Sequence, residues 1–98
     1  MKNEELVSVL EFCTMHRAEM EFVSSLKDSG LVEFVFIDGQ PYVSLNHLRQ
    51  LEKMVTFHYD LNINLEGIET IINLLTRIDE LQEEIGRLRE RLRVVSSE

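Results

Sequence analysis

Ninety-eight residues are enough for one small domain with a modest core, and an apolar content of 44% is that of an ordinary folded protein, not of a disordered segment. A net charge of −8, from 18 Asp and Glu against 10 Lys and Arg, opposes bulk attraction to a phosphate backbone and favours a basic partner surface. No apolar run nears the roughly 20 residues of a membrane span. Met1-Lys2-Asn3-Glu4-Glu5 lacks the basic-then-apolar layout of a secretory signal. A single cysteine, Cys13, makes neither an internal disulfide nor a thiolate zinc cage. The cytoplasm is the expected compartment.

The first helix signal is Ser8-Val9-Leu10-Glu11, where Ser8 can accept from the Glu11 backbone N–H and the Glu11 side chain can reach back, a capping box. A helix of about two turns from Val9 to Met15 follows, with Val9, Phe12 and Cys13 on one face. A second helix is expected from Ala18 or Glu19 to Ser29, with Met20, Val23 and Leu26 inward and Gly30 as its left-handed stop. Two short helices joined by a few residues form a helix-turn-helix. Leu31-Val32-Glu33-Phe34-Val35-Phe36-Ile37 is rich in β-branched and aromatic residues and predicts a strand. Asp38-Gly39 is a hairpin turn, and Gln40 to Val43 returns as a short strand that Pro41 should place at an edge. Together they make a two-stranded wing.

Ser44 should cap a third helix from Leu45 to about Tyr59, with Leu48, Leu51 and Val55 inward and Met54 and His58 beside them. Asp60 to Ile63 is a turn, and Asn64 caps a last helix from Leu65 to about Val94. In that helix Ile71, Ile78, Ile85 and Leu92 recur every seven residues, as do Leu74, Leu81, Leu88 and Val95. This is the a/d seam of a coiled coil, flanked by Arg77, Glu84, Arg89 and Arg91. Its first turns, Ile68 to Leu75, should pack on the chain's own globular part. The stripe of Ile78, Leu81, Ile85, Leu88 and Leu92 needs a second helix to cover it, and another copy of the chain is the simplest supplier. Gly86 falls on the outer face, and Ser96-Ser97-Glu98 should fray.

Catalytic signals are sparse. Cys13 and His16 stand three apart, but no orienting group or oxyanion site accompanies them, and Cys13 lies on an apolar stripe. His47 and His58 are too far apart for one helical turn, so no metal site and no cofactor are expected. The four glycines form no phosphate loop, and the carboxylates read as helix-surface charges with no cleft. The chain does not read as an enzyme.

The order of elements, with Ser29-Gly30-Leu31, Tyr42-Val43-Ser44, Leu48-Arg49-Gln50-Leu51 and Leu65-Glu66-Gly67-Ile68, resembles the MerR-type DNA-binding domain over nearly the whole chain. MerR regulators carry basic residues and an Arg-Tyr-Tyr-type stretch in the second helix. This chain instead has Ser24-Ser25-Leu26 there, with Glu19, Glu21 and Asp28 nearby and only Arg17 and Lys27 as cations. The wing from Phe34 to Val43 has no Lys or Arg, and the metal-binding cysteines of metal-sensing MerR proteins are absent.

Glu11-Phe12-Cys13, Gly30-Leu31-Val32-Glu33, the stretch from Leu61 to Gly67-Ile68, Ile78-Asp79-Glu80-Leu81 and Arg87-Leu88-Arg89-Glu90-Arg91-Leu92 are similar to the CbpM-like chaperone modulators, a MerR-derived branch. Glu66 stands where that branch often has Pro, and Arg17 stands at the turn where Gly is usual. The resemblance implies a protein that binds the J-domain of the DnaJ-like co-chaperone CbpA, restrains its stimulation of DnaK and opposes its DNA binding. The sequence leaves parallel and antiparallel pairing of the last helices open; the resemblance to MerR proteins, which pair them antiparallel, favours the latter.

The expected fold is mostly α: a MerR-like winged helix-turn-helix over residues 1–63 with a long C-terminal coiled-coil helix over residues 64–98. Glu19, Glu21 and Asp28, or else Glu69, Asp79, Glu80 and Glu83, are the candidate partner-binding acids, facing the basic helix that J-domains display. Homodimerisation is expected, and direct DNA binding is disfavoured; the alternative function is a MerR-family transcriptional regulator.

Overall fold

The computed structural model describes residues 5–96, and their side chains through residue 94. The elements run β1 (Leu6–Ser8), α1 (Val9–His16), α2 (Met20–Asp28), β2 (Val35–Ile37), β3 (Gln40–Ser44), α3 (Leu45–Tyr59) and α4 (Leu65–Ser96). The fold is mostly helical, as expected. The expectations on Met1 to Glu4, on the Val95 side chain and on Ser97-Glu98 lie outside the described residues.

Ser8 ends β1 in extended conformation (φ −64°, ψ 127°) and accepts from the Glu11 N–H at 3.2 Å, so one residue closes the strand and caps α1. Helix α1 ends on Arg17, held at φ 55°. The Ala18 N–H donates to the Cys13 carbonyl at 2.9 Å and the Arg17 N–H to the Thr14 carbonyl at 3.4 Å. This pair of bonds is a Schellman end, whose left-handed residue is usually glycine. Helix α2 ends the same way, with Gly30 at φ 81°, Leu31 donating to Leu26 at 2.9 Å and Gly30 donating to Lys27 at 3.0 Å. The expected bounds of α2 therefore shrink to Met20–Asp28.

The β2–β3 hairpin closes on Asp38 (φ 52°) and Gly39 (φ 79°), the two left-handed residues of a type I′ turn. Three expectations about the sheet are corrected. The strand predicted from Leu31 begins only at Val35, because Leu31 is used to end α2 and Val32 is buried. The wing is not a lone pair of strands: β1 adds to it, giving the antiparallel order β1-β3-β2, with Leu6 opposite Ser44, Val7 opposite Val43 and Ser8 opposite Tyr42. Pro41 thus lies in the central strand, not an edge strand. It is tolerated because β1 reaches only as far as Tyr42, and because Pro41 opposes Phe36 one step from the turn-closing pair Ile37–Gln40. Alternation along an antiparallel ladder gives that position no bond to donate toward β2.

Ser44 caps α3 by accepting from the Asn46 N–H at 3.2 Å. At the other end Asn62 turns the chain (φ 58°), Ile63 donates to the Phe57 carbonyl at 3.0 Å, and Asn64 Oδ1 caps α4 by accepting from the Gly67 N–H at 2.8 Å. Gly67 is required there: a Cβ would sit 2.7 Å from Ile63 Cγ2 and 3.1 Å from that capping oxygen.

The chain forms two compact units that meet between Ile68 and Glu69. The first is organised around Val9, Phe12, Val23, Leu26, Val43, Leu51, Met54 and Ile68, each at most 2% exposed. The second is the remainder of α4. Within it Ile72 is buried, Ile71 is half-buried, and Leu74 and Leu75 are exposed. From Ile78 to Leu92 every expected seam residue is exposed, Ile78, Leu81, Ile85 and Leu88 all at 47–49%. No helix of the described residues is long and apolar enough to cross a membrane.

Candidate functional site

Helix α2 is anchored at its start. The Glu19 N–H, left without an intrahelical acceptor at the helix start, donates to Tyr59 Oη at 2.8 Å. Phe22 stacks on the His58 ring at 4.0 Å with planes 9° apart and meets Tyr59 edge-on at 5.7 Å. His58 donates from Nδ1 to the Ile63 carbonyl at 2.9 Å, so this residue, expected beside the inner face of α3, braces α3 against the turn before α4.

With Val23 and Leu26 inward, the stripe of α2 left outside is Glu21, Ser24, Ser25 and Asp28, at spacings of three and four. It offers two exposed carboxylates and two half-buried hydroxyls. Ser25 Oγ is already spent on the Phe22 carbonyl at 2.6 Å. Lys27, the one cation of α2, is turned aside. Its Nζ lies 3.6 Å from the Asp28 carboxylate and 5.9 and 5.8 Å from the ring centroids of Phe34 and Phe36. Those rings meet edge to face at 6.1 Å.

Composition alone did not reveal this cluster. Its signal in the sequence is the uncharged run between Glu33 and Asp38, which makes both faces of β2 apolar. Val35, Phe36 and Ile37 are accordingly exposed, Phe36 at 58%.

The other predicted acids, Glu69, Asp79, Glu80 and Glu83, are exposed along α4. In heptad terms they occupy positions off the a/d seam, so a helix covering the seam would leave them in solvent.

The residues weighed for chemistry are dispersed. Cys13 is buried, its Sγ 3.8 Å from Met20 Sδ, and burial pushes its thiol pKa up from the ordinary value, away from the thiolate a nucleophile needs. His16 stacks on Phe12 at 4.2 Å and reaches toward Glu52 at 3.8 Å, linking α1 to α3. His47 is exposed in the first turn of α3. No three His, Cys, Asp or Glu side chains among the described residues gather as a metal-ligating group.

The family model described as MerR HTH family regulatory protein matches residues 7–90. Comparison with curated proteins and with solved structures finds no match. The match spans the helix-turn-helix, the wing, α3 and most of α4, in the order the structure gives them. The chain belongs to the MerR helix-turn-helix family of regulatory proteins.

Proposed function

We propose that this chain is a non-enzymatic, CbpM-like chaperone modulator that binds the J-domain of a CbpA/DnaJ-like co-chaperone. By occupying the J-domain surface used toward DnaK, it lowers co-chaperone activity, and it opposes the co-chaperone's DNA binding. The observation that carries the reading is the composition of the α2–wing face: Glu21, Asp28 and exposed Phe36 stand where a DNA reader of this family needs cations. The exposed seam of α4 supports a homodimer in the working state.

A pull-down of a CbpA-like J-domain at low salt tests the reading. Retention is expected, and a J-domain that passes straight through sinks it. The second reading, a DNA-binding MerR regulator, is favoured by the family match itself. A gel shift on the DNA upstream of the gene separates the two: tight, salt-sensitive retardation supports the regulator, and its absence supports the modulator.

A further inference from the structure

We infer that the face shared by α2 and the wing is the docking surface for a basic amphipathic segment of a protein partner, with Phe36 as its apolar centre. The inference rests on the protein-binding reading and adds the location of the surface and the chemistry of what it takes.

Four observations converge within the globular unit. Phe34, just before β2, meets the Phe36 ring edge to face at 6.1 Å, and Phe36 faces Pro41 across the hairpin, so the patch is apolar on both strands. Phe36 is 58% exposed, a large apolar residue left in water. The Lys27 ammonium bridges this patch to the Asp28 carboxylate, which makes α2 and the wing one continuous surface. The outward stripe of α2 and the hairpin tip carry the exposed carboxylates of Glu21, Asp28 and Asp38.

Charge decides the class of partner. Lys27, the one cation of α2, already faces a carboxylate and two rings, which leaves carboxylates in excess on this helix and little to attract a phosphate. A partner segment bearing Lys or Arg on either side of an apolar side chain matches the surface term by term: its apolar group covers Phe36 and its cations face Asp28 and Glu21. The acids of α4 lack an exposed aromatic centre among the described residues, which favours the α2–wing face over Glu80 and Glu83 as the contact.

The test titrates the isotope-labelled full chain with a CbpA-like J-domain and measures affinities by calorimetry for Phe36→Ser, Asp28→Lys and the pair Glu80→Lys/Glu83→Lys. Amide shifts should cluster at Ser24–Asp28 and Val35–Gln40. Phe36→Ser should weaken binding at least about tenfold, Asp28→Lys should weaken it several-fold at low salt, and the α4 pair should stay within about twofold. Circular dichroism melts check that the variants fold, and the shift map on the unsubstituted chain stands even if one does not. Wild-type binding with Phe36→Ser undiminished, or shifts confined to α4, overturns the surface and leaves the functional reading intact. No wild-type binding overturns both. Duplex DNA shifting the same amides, with that effect lost in Lys27→Gln, assigns the face to nucleic acid instead.

Discussion

The Glu19 backbone N–H donates to the Tyr59 hydroxyl at 2.8 Å, tying the start of α2 to the end of α3 across 40 residues of sequence. Helix α2 has no side-chain cap of its own, so this hydroxyl takes that role. Tyr59→Phe keeps the edge-on contact with Phe22 and removes only the acceptor. It should cost about 0.5–1 kcal/mol, lowering the melting temperature by a few degrees in a calorimetric scan. An unchanged melt would mean that water satisfies the Glu19 N–H equally well.

Arg17 sits in the left-handed region at φ 55°, a conformation that costs a residue with a Cβ about 1 kcal/mol or more. Arg17→Gly should therefore stabilise the chain by about 0.5–1 kcal/mol after the added freedom of the unfolded glycine is counted. Arg17→Ala, which keeps the Cβ, should bring no such gain. Denaturant melts of the two variants separate a backbone effect from loss of the guanidinium.

The two glycines of α4 should respond in opposite directions to alanine. At Gly67 the new Cβ would crowd Ile63 and the Asn64 capping oxygen, so Gly67→Ala should destabilise by about 1–2 kcal/mol. At Gly86 nothing lies within 4 Å of the new Cβ, so Gly86→Ala should gain up to about 1 kcal/mol of helix propensity. Paired thermal melts check the sign of each.

Covering the seam should require a second helix. Light scattering of the wild-type chain at micromolar concentration is expected to give a dimer, and Ile85→Asp a monomer with its globular unit still folded, since Ile85 is 47% exposed in the single chain. A wild-type monomer would remove the seam as a dimer interface.

Cys13 should be slow to alkylate. With 7% exposure and a thiol pKa raised by burial, its thiolate fraction at neutral pH lies below that of a free cysteine. Iodoacetamide labelling followed by mass spectrometry should proceed about tenfold or more slowly than on the denatured chain and accelerate as pH rises. Labelling at the rate of free cysteine would contradict the buried placement.

The chain's local chemistry determined most of the elements. The caps at Ser8, Ser44 and Asn64, the stop at Gly30 and the turn at Asp38-Gly39 each act through backbone bonds within a few residues, so residue identity suffices to place them. The seven-residue repeat of α4 is a periodicity of the same kind. The outer acids of α2 were legible too, because the inward positions of Val23 and Leu26 fix what is left outside.

Tertiary structure decided what depends on partners far apart in the chain. Leu6–Ser8 is too short to announce a strand and becomes one only because β3 offers it a pairing edge; that same pairing turns Pro41 from an expected edge residue into a tolerated member of the central strand. His58, expected beside the inner face of α3, finds its stacking and hydrogen-bond partners only when Phe22 and Ile63 are brought against it, and Lys27 meets the rings of Phe34 and Phe36 only through the wing. Capping and periodicity are written in neighbouring residues, whereas sheet pairing, ring stacking and the neutralising of a charge require the chain to close long loops first.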